Sequence, residues 1–328
     1  MDRQRWLFEN MLLMPRYEVW VKRSISVARV AGTTAIEGEG IGTEAVSDLM
    51  RGGAVARSDA DAVRANSNAI AAYEFIDYLS EQSDIPLSEL VIRELNRQFM
   101  RGGPELLTPG VYRKGQNSVG NFTPPNQGDV PALMRDFAEW PCADDDVHPV
   151  LRAGIAHLHL VSVHPFWDGN GRTSRGMMTL ILQRSPFGFR NLLSVESWFA
   201  DRRDAYIDAI ERAQGRSFSE TYDMTGWLEF FVEALAAAAQ SLMDELTDWH
   251  RWMQEVQGSL RQAGLNDRQA DGLAYAARAG RITRPEYIEI TGVSPITATR
   301  DLARLVEAGF LEVQGRTRGR AYLFKRRV

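Results

Sequence analysis

Twelve residues, HPFWDGNGRTSR from His164 to Arg175, place an imidazole, a carboxylate, two glycines, an amide and two guanidinium groups in one short segment. These types at this spacing suit chemistry on a polyphosphate. If a helix starts just after Asp168, the N–H groups of Gly169, Asn170, Gly171 and Arg172 have no intrahelical acceptor and lie at the positive end of the helix dipole, an anion site. The glycines allow a ligand close to the backbone, and Asn170 offers a further amide donor. Arg172 and Arg175, three residues apart, share a helix face and add two forked donors for phosphate oxygens. Asp168 is a lone carboxylate at the same mouth, which is what Mg2+ takes from a protein when phosphates and water complete its shell. His164, as a neutral imidazole, can remove a proton from an attacking hydroxyl. Pro165 fixes the exit from the preceding helix, and Phe166 reads as a core anchor.

Helices must hold this loop on both sides. PVLRAGIAHLHLVSV is nearly apolar and should end at the His164-Pro165 step, because proline disfavours helical geometry in the residue before it. RTSRGMMTLILQRS continues from the glycines as the second helix. Upstream, DADAVRANSNAIAAYEFIDYLSEQ has apolar residues near helical spacing, and LSELVIRELNRQFMRGG opens on Ser88 as an N-cap and stops at Gly102-Gly103. Between them and the motif, Gln116 to Pro125 is rich in Gly, Asn and Pro and reads as a loop or small hairpin. Residues 226–257 read as one or two long helices. His157 and His159 have an H-x-H spacing, but two residues apart on a helix point to nearly opposite sides, so they read as packing residues rather than metal ligands.

Composition bounds the class. The chain has 328 residues, 44% of them hydrophobic, enough for two cored domains, and its one cysteine, Cys142, excludes an intrachain disulfide. The N-terminus does not read as a signal peptide and the most apolar run, FFVEALAAAAQSLM, is too short to span a bilayer, so a cytoplasmic protein without a membrane partner is expected. The net charge of -5 is uneven, with +5 on residues 265–328 and -10 on the first 264.

The ordered motif resembles that of the Fic family, HPFx[D/E]GNGRxxR, with every position matched and Trp167 in the free slot. The resemblance extends over roughly residues 30 to 235. It implies a mainly α fold, a Fic-type helical bundle with a small β-hairpin flap, and a protein adenylyltransferase (AMPylator) that moves AMP from ATP to a Ser, Thr or Tyr hydroxyl of a target protein. Position by position it makes His164 the general base and Asp168 the Mg2+ ligand. Gly169, Asn170, Gly171 and Arg172 become the phosphate cradle, and Arg175 the partner of the γ-phosphate. GQNSVGNFTPPNQGDVPALM resembles the flap that holds an extended target segment. Tyr206 in RRDAYIDAI resembles a helix bordering the nucleotide, although Arg202 and Ile207 depart from the family's NRxxYY. Val161 stands where family members often carry Glu, and no role is assigned there. Thr33, Glu37 and Gly38 match the family's inhibitory pattern [S/T]xxxE[G/N], which implies that Glu37 pairs with Arg175 and misorients ATP. Other phosphate donors, or removal of AMP, stay open.

The basic C-terminus reads as helix, turn, helix and hairpin. Thr283 and Glu286 form a capping box, Gly292 closes that helix, Ser294-Pro295 opens the next and Gly309 ends it. FLEVQGRTRGRAYLF then alternates as two strands, resembling a winged helix-turn-helix domain. Thr297, Arg300 and Arg304 on the second helix, with Arg316 and Arg318 on the wing, are candidate contacts to double-stranded DNA. Protein contact or a homodimer is the other use of such a module, and a nucleotide-sensing DNA-binding transcriptional regulator is the rival reading of the whole chain. The expected domains are a helical region over 1–110 with the inhibitory helix, a catalytic core over 111–240, a linker over 241–264 and a winged helix over 265–328.

Overall fold

A computed structural model of the chain describes residues 5–6, 8–9, 15–53, 55, 59–82, 84–104, 107–140, 146–315 and 320–325. Cys142 and most of the acidic run that ends at Asp146 lie outside these residues, as do Arg316 and Arg318. The chain divides into two units, Met1–Glu9 with Ser24–Gln240, and Asn10–Arg23 with Ser241–Val328. Residues 24–110 pack in one unit with 111–240, and the expected linker 241–264 packs with the C-terminal elements.

The first unit is built around two helices, α6 (Pro149–Val163) and α7 (Asn170–Gln183), joined by the loop from His164 to Gly169. Leu158, Leu160 and Val163 of α6 and Met177, Met178 and Leu180 of α7 are fully buried, each such side chain stabilising the fold by roughly 1.5–3 kcal/mol. Helix α2 (Thr43–Met50) packs on α3 (Ala60–Glu81), α3 and α4 (Glu89–Phe99) pack on α7, and α5 (Val130–Glu139) packs on α4 and α6. Ser88 caps α4 by accepting from Val91 N–H, as its sequence predicts. Below α6, Trp227 of α10 (Thr225–Gln262) stacks on His157 with ring centroids 4.7 Å apart and donates from Nε1 to the Gly154 carbonyl at 2.7 Å. His157 and His159 are packing residues: the ring of His159 stacks on Phe137.

Helix α1 (Pro15–Ile36) brings Thr33 and Glu37 to the motif. From Ser24 onward it is seated on α8 (Glu196–Asp201) and the residues just before it. Arg29, buried, reaches Asp77 and the Leu193 carbonyl, and Ser197 donates to the Ala28 carbonyl. Gly32 permits this approach, since a Cβ there would lie 2.6 Å from the backbone of Glu196 and Ser197. Arg203, at the start of α9 (Arg203–Gln214), ties down the helix end by donating to the Ile36 carbonyl at 2.6 Å.

In the second unit α11 (Asp267–Ala279), β1 (Arg281–Thr283), α12 (Arg284–Thr291), α13 (Pro295–Glu307), β2 (Leu311–Gln314) and β3 (Ala321–Phe324) follow in order. The antiparallel sheet has order β1-β3-β2, with Ile282 and Val313 both opposite Tyr322. The capping box at Thr283 and the caps at Gly292 and Ser294 are those read from sequence, and α13 ends at the C-cap Ala308, one residue before the left-handed Gly309. Strand β1 is not; three residues are too few to show an alternation. Leu273, Ile282, Tyr287, Ala298, Leu302 and Leu305 form the core. Asp301 is buried beside it and accepts from Arg268, Gln269 and Tyr287.

Because Gly32 faces backbone that cannot swing aside, Gly32→Ala should destabilise the first unit by about 1–3 kcal/mol. A urea midpoint equal to the parent's would contradict the seating of α1 described here.

Candidate functional site

The chain leaves α6 at His164, whose backbone is left-handed (φ 49°, ψ 56°), a conformation that costs a non-glycine residue roughly 1–2 kcal/mol. Two contacts hold it: its N–H donates to the Leu160 carbonyl at 3.1 Å, and its own carbonyl accepts from Arg113 Nε at 2.9 Å. Arg113 also donates to the carbonyls of Gly115 and Pro125, at 3.0 and 2.5 Å. One buried guanidinium therefore fastens the motif loop to both ends of the segment read as a flap. That segment is a tight turn closed by one antiparallel bridge, Val119 to Phe122, and Thr123 makes a parallel bridge to Ser217. Trp167 is partly exposed and lies against Gly115.

The imidazole of His164 has a defined tautomer. Nδ1 lies 3.2 Å from the Val161 carbonyl and so carries the proton, leaving the Nε2 lone pair as the basic site. Burial pushes its pKa down to about 4, with Arg113 adding to the effect, so the ring is neutral near pH 7. A hydroxyl placed on Nε2 could transfer its proton there.

Helix α7 begins at Asn170 with Gly169 as N-cap, one residue after the predicted start, and its first backbone acceptor is filled by Thr173 N–H on the Gly169 carbonyl. The amides of Asn170, Gly171 and Arg172 are thus the orphan donors of the first turn. Gly169 N–H is not among them, because it donates to Asp168 Oδ1 at 2.6 Å. The side chain of Asn170 also departs from expectation. Its Oδ1 accepts from Phe166 N–H and its Nδ2 donates to the Phe166 carbonyl, both at 2.9 Å, so the amide closes the loop and is turned away from any ligand. Asn96, unremarked in the sequence, supports the same turn by donating to the Asp168 carbonyl and accepting from Gly110 N–H.

Arg172 and Arg175 are buried, with side chains 6% and 1% exposed. Arg175 donates from Nε to Thr33 Oγ1 at 2.9 Å, and from Nη2 to the Thr33 carbonyl at 3.1 Å and Glu37 Oε1 at 2.6 Å. The pairing of Glu37 with Arg175 that the motif implies is thus present in the geometry. Burial alone would raise the Glu37 carboxyl, but the charge and hydrogen bond of Arg175, with Arg172 and Arg203 nearby, hold it below the ordinary carboxylate value. Its carboxylate lies over Gly171, where a Cβ would be 2.7 Å from Oε1. The chain's own anion therefore occupies the space in front of the helix N-terminus. Arg172 has a partner the sequence did not suggest, Glu39, whose Oε2 accepts from Nη1 at 2.7 Å. Burial raises the Glu39 carboxyl more than Arg172 lowers it, and Glu37 and Asp168 raise it further.

Tyr206, expected to border a nucleotide, is buried behind Arg175 instead. Its hydroxyl lies 2.9 Å from His157 Nε2 and accepts from Arg175 Nη1 at 3.4 Å. The helical pattern marked the residue but not its direction. Asp168 is the accessible carboxylate, 49% exposed and 3.9 Å from Arg172 Nη2. Among the described residues no group of three or more His, Cys, Asp and Glu could hold a metal alone, and no helix is long and apolar enough to cross a membrane.

Comparisons with known proteins fall on this region. A Fic/DOC family model matches residues 86–182. Protein adenylyltransferase Fic of Drosophila yakuba is 38% identical over 111 residues, 33% of this chain and 22% of the relative. The chain thus spans about a fifth of the length of the curated relatives it matches. A Fic family protein from Desulfovibrio desulfuricans G20 has a similar structure, with TM-score 0.63 and 23% identity over 96% of this chain and 90% of that one. Fic-1 of C. elegans (residues 134–508) gives TM-score 0.65 and 23% identity over 75% and 71% of the two chains. At these identities the structural likeness establishes the mainly helical Fic fold.

Nitrogen-detected NMR of the histidines checks the site independently of any activity. His164 should be protonated on Nδ1 and titrate near 4, not 6.5. His157, near 3, and His159, near 4, are likewise lowered by burial. The unfolded chain binds protons at all three as pH falls below about 6.5 while the native chain does not, so stability should drop between pH 6.5 and 4. A His164 midpoint near 6.5 would remove the buried neutral base.

Proposed function

We infer from the Fic/DOC family domain carried by residues 86–182 that this chain is a protein adenylyltransferase, moving AMP from ATP to a Ser, Thr or Tyr hydroxyl of a target protein. The observation that carries the reading is His164, neutral and with Nε2 available, at the mouth of a loop on which two buried arginines and three orphan amides converge. The amides of Asn170, Gly171 and Arg172, with the Arg172 guanidinium, bind the phosphate chain, and Arg175 binds the γ-phosphate. The acceptor oxygen bonds to the α-phosphorus as that phosphorus releases pyrophosphate, and the hydroxyl proton passes to His164 Nε2. Tyr206 acts through Arg175.

Asp168 fits Mg2+ as a single exposed carboxylate among groups that bind phosphate, since Mg2+ usually takes one or two protein carboxylates and completes its shell with phosphate and water. When bound, the ion would neutralise charge on the phosphates. Glu37 restrains the reaction: with its carboxylate on Arg175 and over Gly171, the γ-phosphate cannot take its place, and the α-phosphorus is not held in line with the acceptor.

ATP labelled at the α-phosphate tests both parts, with auto-modification as the readout. Glu37→Gly should raise AMP incorporation by roughly tenfold or more, a change of about 1.4 kcal/mol or more in the barrier. The gain should vanish in Glu37→Gly/Arg175→Ala, and adding His164→Ala should lower transfer by about 10²–10⁴. Label from the γ-phosphate instead would indicate kinase chemistry, and equal transfer by Glu37→Gly and the parent would remove the brake.

A second reading concerns residues 265–328. With Ala298, Leu302 and Leu305 turned inward, α13 leaves Ile296, 74% exposed, and Arg300 and Arg304 outward. A helix-turn-helix followed by an antiparallel pair of strands supports a winged helix that sets α13 in the major groove of duplex DNA. Thr297 is the weaker candidate, because its hydroxyl is 3.0 Å from the N-cap Ser294. Arg300→Ala/Arg304→Ala should weaken duplex binding and lower the slope of log K against log salt by about 1–2. A parent chain that binds no duplex at low salt would assign this unit to protein contact.

A further inference from the structure

The segment after α1 carries two carboxylates, Glu37 and Glu39, and each meets a different motif arginine. The second is held as deliberately as the first. Glu39 N–H donates to the Thr34 carbonyl at 2.9 Å, and its carbonyl accepts from Asn66 Nδ2 at 2.8 Å. Asn66 is buried, and its Oδ1 accepts from Thr34 Oγ1 at 2.9 Å. With the backbone fixed at both ends, the side chain reaches Arg172 Nη1 at 2.7 Å. Arg172 Nε is buried and has no hydrogen-bond partner among the described residues.

We propose that Glu39 is a second inhibitory carboxylate, which occupies Arg172 and so weakens the binding of a nucleoside triphosphate. The proposal rests on the reading of the loop as a phosphate site. The two carboxylates have separate effects because their arginines have separate tasks. Glu37, on Arg175, controls where the end of the phosphate chain lies and therefore turnover. Glu39, on Arg172, competes for a member of the cradle itself and therefore sets affinity. A nucleotide that recruits Arg172 must displace a charge-assisted hydrogen bond, and removing the charge on Glu39 lifts that competition. Residue 39 also faces Asp168 and Glu37, like charges whose crowding makes it the easier of the two to displace.

Titration calorimetry of ATP into the full chain tests this, with Tm measured on every variant. Glu39→Gln keeps the size and removes the charge, and should tighten ATP binding about three- to tenfold, the scale of one partly exposed ion pair. Glu39→Ala, which cannot keep a hydrogen bond to Arg172, should do the same, guarding against a variant that fails for reasons of fold. In an Arg172→Ala background neither change should alter affinity, because the carboxylate has nothing left to block. Tightening by both variants that disappears with Arg172→Ala supports the proposal, even if no variant transfers AMP, in which case only the enzymatic reading falls. ATP binding by Glu39→Gln and Glu39→Ala that is no tighter than the parent's, or tightening that persists without Arg172, overturns it, even if Glu37→Gly is an active transferase.

Discussion

A guanidinium with 1% of its side chain exposed must be paired, and Arg175 governs what surrounds it for that reason. Burial disfavours its charge, yet the Tyr206 hydroxyl and the Glu37 carboxylate together keep it firmly protonated. Its donors account for the close approach of α1 through Thr33, for the position of Tyr206 in front of His157, and for the carboxylate over Gly171. The site needs an anion whether or not a nucleotide is bound, and the chain supplies one from Glu37.

The motif loop was legible because its chemistry is local. Residues 164 to 175 are contiguous, the helix start follows from the glycines, and the amide nest follows from the helix start. The placement of Glu37 on Arg175 came only from resemblance, since 138 residues separate the two. Contacts of that range have no periodic signal. Arg113, Asn96 and Glu39 carry no sequence signal for the same reason: each is an ordinary residue type in an ordinary helix or loop until the fold brings it to a carbonyl or an arginine.

Where the reading of residues was off, side-chain direction was at fault rather than position. Asn170 and Tyr206 are at the site, but one amide is turned back onto Phe166 and one hydroxyl onto His157. The segment from Gln116 to Pro125, read as a loop or small hairpin, is a tight turn closed by the Val119–Phe122 bridge, with a second bridge from Thr123 to Ser217 that no local pattern marks. In the C-terminal unit the N-caps Thr283 and Ser294 are readable from sequence, because capping chemistry involves neighbours three positions apart. Strand β1 was not, because its ladder partner lies about forty residues later.

Arg113 shows how much of a loop's geometry can hang on one buried cation. Its three nitrogens serve three carbonyls from separate parts of the chain, those of His164, Gly115 and Pro125. Lysine keeps the charge but offers a single nitrogen, so it cannot span that triangle. The adjacent Lys114 is exposed. Two neighbouring basic residues of equal charge thus differ in what they hold: the guanidinium ties three carbonyls together, and the ammonium beside it ties none of those three.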